Sequence, residues 1–155
     1  MRPTPKLSER TSTIRSPSTE ILILNRQKKY SVRADSIRKM AEEVLAHFKL
    51  GHRSLSLVLV GRNRIRTLNT RYRGISQSTD VLSFGDCGIP GHLGDIVISL
   101  PNADHNARVE QHSLQKEIGW LILHGILHLA GYDHERDRGE MSRLERRLRN
   151  MSCFK

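Results

Sequence analysis

Apolar positions along the chain follow two rhythms. Ile21 to Leu24 is a short, wholly apolar run, which predicts a strand covered on both faces. After the polar turn Asn25 to Lys29, Ile37, Met40, Ala41, Val44, Leu45 and Phe48 recur at i, i+3 and i+4. That spacing predicts a helix over about 33–49, closed by Gly51. Ser54 to Val60 alternates and then runs apolar, a second strand, and Arg62 to Arg73 is a short helix with Ile65, Leu68 and Tyr72 on one stripe. Val81 to Phe84 and Asp95 to Leu100 are two more strands around a Gly- and Pro-rich loop. From Asn102 the chain is helical in pieces, over about 102–110, 113–130 and 135–149. Strands first and most helices last, without an internal repeat, predict an α+β single domain. Its small mixed four-stranded sheet would pack with about five helices.

Residues 1–20 show no apolar period and are rich in Ser, Thr, Pro and Arg, which predicts a disordered extension ahead of a domain over 21–150. An organelle transit peptide has a similar composition, but Glu9, Glu20 and three prolines weigh against it. A chain of 155 residues can bury a core without disulfides. Cys87 and Cys153 form no C-x-x-C pair, so neither a disulfide framework nor a thiolate zinc knuckle is expected, and a reducing compartment fits. With no apolar run of membrane-spanning length, the expected location is the cytoplasm, with no membrane partner. Twenty-six Lys plus Arg against 16 Asp plus Glu give a net charge of +10, which points to a polyanionic partner, nucleic acid before membrane. Aromatics at 5% argue against a binder built on base-stacking platforms. No G-x-x-x-x-G-K or G-x-G-x-x-G occurs, so no nucleotide cofactor is expected.

The segment from Leu123 to His134 carries the chemistry. On a helix, positions four apart sit about 40° round and about 6 Å along, so His124 and His128 present two imidazoles to one point. Gly131 stands where the helix must end in a left-handed conformation, and the returning chain brings His134 as a third ligand. Three nitrogens leave a tetrahedral zinc ion one open position for water, the pattern of a catalytic site at the end of the long fourth helix. Two histidines alone would read as core residues bonded to backbone or carboxylate; the third, with its glycine, makes a metal site the better reading. His47, His52, His92, His105 and His112 share no ligand spacing and are expected at the surface.

The spacing H-x-x-x-H-x-x-G-x-x-H is also that of metzincin proteases, with Met141 downstream. Those enzymes place a glutamate after the first histidine as general base, and here that position is Gly125. Glu117 stands two turns earlier, too far to substitute, so a protease lacks its proton acceptor.

His124-Gly-x-Leu-His128-Leu-x-Gly-Tyr-Asp-His134 closely resembles the signature of the YbeY family of metal-dependent endoribonucleases. Leu68-Asn69-x-x-Tyr72-Arg73, then Thr79 to Phe84, Leu93 to Ile98, Met141 and Glu145 follow that family's order, so the resemblance spans about Ile21 to Arg149. It implies an α+β fold and a single-strand-specific enzyme of ribosomal RNA maturation, at the 3′ end of the small subunit, and of ribosome quality control. It also implies one zinc ion on His124, His128 and His134 and a functional role for Arg73. The chain departs from the family at Ser76, where an acidic residue is usual, and at Gly85, where proline is usual.

Arg73 suits a scissile phosphate because guanidinium offers two parallel donors; from spacing alone it is a solvated arginine. No side chain stands out as general base, so water on the metal is expected to attack the phosphodiester. Asp133 either orients a ligand histidine or caps the last helix; Asp80 and Asp95 are expected to hold loops. The alternative is a non-catalytic, metal-stabilised ribosome assembly factor, with Cys87, Asp133 or another carboxylate filling the fourth position.

Overall fold

The computed structural model describes residues 19–85 and 88–155. The extension expected over 1–20 therefore lies outside the described residues except for its last two, and so does Cys87. Four strands, β1 (Ile21–Asn25), β2 (Ser54–Val60), β3 (Val81–Gly85) and β4 (His92–Ser99), form one sheet in the order β1-β2-β4-β3. β1 and β4 run parallel to β2, and β3 runs antiparallel to β4 at the other edge. Five helices complete the domain: α1 (Ala34–His47), α2 (Arg62–Arg73), α3 (Leu100–Val109), α4 (Leu114–Leu129) and α5 (Glu140–Leu148).

The sheet separates two apolar layers. On one face Leu55, Leu57, Leu59, Ile96 and Ile98 meet Ile37, Val44 and Leu45 of α1 and Ile118, Ile122 and Ile126 of α4. On the other face α2 lays Ile65 against Val60, Leu82 and Val97. Helix α4 is wrapped by apolar neighbours, with Ile118, Ile122, Leu123, Ile126 and Leu127 fully buried. Each such side chain contributes about 1.5–3 kcal/mol of burial. Ser113 starts the helix by accepting a hydrogen bond from the Lys116 amide at 3.1 Å.

Four expectations change. β1 is an edge strand, and Leu22 is 52% exposed, so only one of its faces is covered. Helix α1 ends at His47 and turns through Lys49 (φ 57°) rather than at Gly51, with the Leu50 amide bonded to Leu45 O at 2.8 Å. β4 begins at His92, not Asp95, because Gly94 lies within the strand rather than before it. A Cβ on Gly94 would stand 2.4 Å from Phe84 O, so the close approach of β3 demands glycine there. α5 begins at Glu140, not near Glu135, since Asp137 intercepts the chain. Its carboxylate accepts from the Gly139 amide at 2.7 Å and the Met141 amide at 2.8 Å, which starts the helix there.

Candidate metal centre

The central helix presents one polar stripe on an apolar cylinder, and that stripe opens into a cleft. Glu117, Leu121, His124 and His128 recur along it and line the cleft, whose volume is about 1110 Å³. After His128 the chain reverses through Gly131 (φ 101°), with the Tyr132 amide bonded to Leu127 O at 3.0 Å. The reversal returns His134 beside the other two rings. His124 Nε2 and His128 Nε2 are 3.1 Å apart, and the His134 ring centroid lies 5.6 and 5.1 Å from those of His124 and His128. One ring nitrogen from each histidine falls within 4.8 Å of the others. Among the described residues these three form the group, with no fourth histidine, cysteine or carboxylate.

Glu145 on α5 orients the first ligand. Its Oε2 accepts from His124 Nδ1 at 3.2 Å, which leaves His124 Nε2 as the basic nitrogen facing the other rings. Burial pushes the Glu145 carboxyl up, but the His124 hydrogen bond and Arg149, 2.9 Å away, outweigh it and hold the group below its ordinary range. His128 is held below the usual imidazole range by burial first, then by His124 and His134. A neutral imidazole is the form that binds metal. Three converging imidazole nitrogens, one backed by a carboxylate, fit a borderline divalent ion such as zinc. Glu145→Gln is expected to weaken metal affinity about 10–100-fold while leaving the melting temperature unchanged. Competition with a chromophoric chelator checks the affinity.

Arg73 ends α2, just before Gly74 (φ 70°), and half of its side chain is exposed at the rim of the cleft. Its nearest carboxylate, Glu135, is 3.9 Å away and 69% exposed, a contact too solvated to hold it. Tyr72, expected on the buried stripe of α2, is 58% exposed and stands edge-on to Phe84 at the mouth of the cleft. Arg62, Arg64, Arg66 and Arg71 of α2 are exposed.

Asp133 takes neither expected role. Its Oδ1 accepts from the Glu135 amide at 3.0 Å, fixing the turn before α5, while Asp137 holds the start of that helix. Asp80 accepts from Asn106 Nδ2 at 3.1 Å, a loop tie as expected. His92 and His112 correct the surface assignment. His92 is 9% exposed, with Nδ1 2.8 Å from Ser54 Oγ and Nε2 2.9 Å from Asp95 Oδ1. The side chain of His112 is 12% exposed and faces Glu117 at 3.1 Å. Burial raises the Glu117 carboxyl, and its partner is His112 rather than the histidine trio. His47, His52 and His105 are exposed as expected.

Gly125 shows why the protease base is missing. Its Cα faces the sheet, and an added Cβ would stand 2.7 Å from Ile96 Cδ1. The position after the first histidine is thus a packing contact, not a wall of the cleft. Met141 is likewise fully buried in the core. Sequence reasoning gave no role to Glu145, Arg149 or Trp120. Arg149 lies 4.3 Å over the Trp120 ring and reaches Glu145, so the three form one stretch of the cleft wall. No local spacing announces such a set, because its members come from two helices.

Comparisons with known proteins agree with this geometry. The family described as Endoribonuclease YbeY matches residues 22–152. A curated relative from Aquifex aeolicus, named Endoribonuclease YbeY, is 44% identical over 131 residues, covering 83% of this chain and 87% of its own. One of the same name from Syntrophomonas wolfei is 39% identical over 147 residues, covering 83% and 94%. Among solved structures, a Thermotoga maritima protein determined in solution matches with a TM-score of 0.59 and 30% identity, covering 83% of this chain and 86% of that one.

Proposed function

This chain belongs to the YbeY family of endoribonucleases, and on that footing we propose that it is a zinc enzyme of the cytoplasm. Its substrate on this reading is single-stranded ribosomal RNA, in small-subunit 3′-end maturation and ribosome quality control, with the small subunit as a partner. The observation that carries the reading is the convergence of His124, His128 and His134 in a cleft that Arg73 and Arg149 also line. A net charge of +10 supports a polyanionic substrate. No helix of the described residues is long and apolar enough to cross a membrane. We assign the nuclease domain to residues 21–150.

Bound by the three histidines, zinc would supply Lewis acidity toward a phosphate oxygen and toward water. The chain's own groups do the rest. Arg73 grips two non-bridging oxygens of the scissile phosphate through its fork of N–H donors and offsets charge that builds during displacement. Glu145 keeps the Nδ1 proton on His124, so the ring cannot turn its basic nitrogen away from the cleft. With His124, Arg149 keeps Glu145 ionised, and it adds positive charge to the cleft wall. Phe84 and Tyr72 form an apolar lip beside Arg73.

The test is cleavage of a single-stranded ribosomal RNA fragment by zinc-loaded protein. Arg73→Ala is expected to lower kcat/KM about 100-fold with unchanged zinc content, as loss of one preorganised donor to a charged transition state does. If wild type binds the RNA and leaves it uncut, the assembly-factor alternative takes over. If Arg73→Ala cuts at the wild-type rate, Arg73 has no part in the site.

A further inference from the structure

A second cavity adjoins the histidines. Ser83 and His128, which line the cleft, also line this cavity of about 580 Å³, bounded by Arg53, His92, Leu93 and Leu129. His128 therefore lines both volumes. An enzyme confined to chain ends needs room on one side of the scissile bond, whereas one that cuts within a strand must seat the polymer on both sides. Arginine lines each volume, Arg73 and Arg149 the first and Arg53 the second.

Arg53 is built into its wall. Its Nη2 donates to His92 O at 2.9 Å, and His92 itself is locked through both ring nitrogens, by Ser54 and by Asp95. The half-buried guanidinium is thus held by a backbone carbonyl of a fixed residue. Among the described residues no carboxylate comes within ion-pair distance of it. A guanidinium has five N–H donors, so one spent on a carbonyl leaves enough for a bidentate anion. A polar, preorganised cation in the wall of a cavity that His128 also lines suits a phosphodiester.

We propose that the Arg53 cavity is a second phosphate-binding subsite, which holds single-stranded RNA on the opposite side of the scissile bond from Arg73. The identity of the ligand rests on the endoribonuclease reading; the site itself rests on the shared wall at His128 and the fixed guanidinium.

The test measures binding separately from cutting. Fluorescence anisotropy of a short, labelled, single-stranded 2′-O-methyl RNA is followed across a salt series for zinc-loaded wild type, Arg53→Ala and Arg53→Lys. Arg53→Ala is expected to raise Kd about tenfold and to reduce the slope of log K against log salt by about 0.7, one phosphate contact on a single strand. Arg53→Lys keeps the charge and is expected to keep the wild-type slope. Unchanged Kd and slope in folded Arg53→Ala overturn the subsite. So does equal weakening in both variants with the slope retained, since that pattern marks a strand staple. Wild-type protein that binds this RNA but cuts no RNA overturns the nuclease reading and leaves the Arg53 comparison intact. Wild-type protein that does not bind overturns the subsite.

Discussion

His128→Ala is expected to abolish both zinc retention and RNA cleavage, with kcat/KM down at least about 1,000-fold. A metal's stabilisation of a developing charge is worth several kcal/mol, and each 1.36 kcal/mol is about a factor of ten. The three ring centroids form a triangle of 4.7, 5.1 and 5.6 Å, so loss of His128 leaves two nitrogens, too few to hold the ion. Stability should change little, because the ring caps no helix and is only half-buried, at the end of a helix held by Ile122, Ile126 and Leu127. Bound zinc by atomic emission, cleavage and thermal melting are the three readouts. His92→Ala is the informative control. Its ring is buried between Ser54 and Asp95, so that variant should lose melting temperature and keep its metal. Zinc retained at full stoichiometry in His128→Ala would remove the trio as the metal centre.

Substitution of Gly125 should damage the fold rather than the chemistry. A Cβ there meets Ile96 at 2.7 and 2.9 Å, and Ile96 is fully buried in the middle of β4. Gly125→Ala is expected to cost about 1–3 kcal/mol of overpacking, and at about 2–4 °C per kcal/mol the melting temperature falls visibly. Gly125→Glu, which restores the protease-like sequence, should fail to fold, because the carboxylate would enter the sheet–helix layer without a partner. Combining Gly125→Ala with Ile96→Val or Ile96→Ala should recover part of the loss, since the two sites touch. A Gly125→Ala protein with full stability, or a double variant that is strictly additive, would show that the helix and sheet are not in tight register here.

What could be read along the chain was local. The ligand trio was legible because its three members lie within 11 positions on one helix and the turn that ends it, so helical geometry and one glycine place all three. The sheet and the order of helices followed from apolar rhythm. The starts of β4 and α5 did not, for opposite reasons. Gly94 reads as a break but is required inside the strand by Phe84 O, while residues 135–140 carry no apolar position to mark a boundary and Asp137 sets the helix start after them. Glu145 was unreadable as a partner of His124, since the 21 positions between them carry no period and the contact depends on how α5 packs against α4. His92 and His112 were misplaced because their burial depends on polar partners, two of them on other elements or across a turn, and not on any pattern around themselves.

The wrapping of α4 by the core has a consequence for how the protein acquires its ion. Two of the three ligands sit on a helix whose position is set by apolar burial on several sides, and the third follows a turn closed by backbone hydrogen bonds. The cost of ordering the chain has thus been met before any ion arrives, unlike a zinc finger, where the metal's binding energy is the folding energy. Loading then becomes a docking event of a hard-wired receptor, limited by ion encounter and proton release rather than by a conformational search. Synthesis and activation are separable: a folded molecule can wait in the cell without its ion, and its activity can follow metal supply without any change of shape.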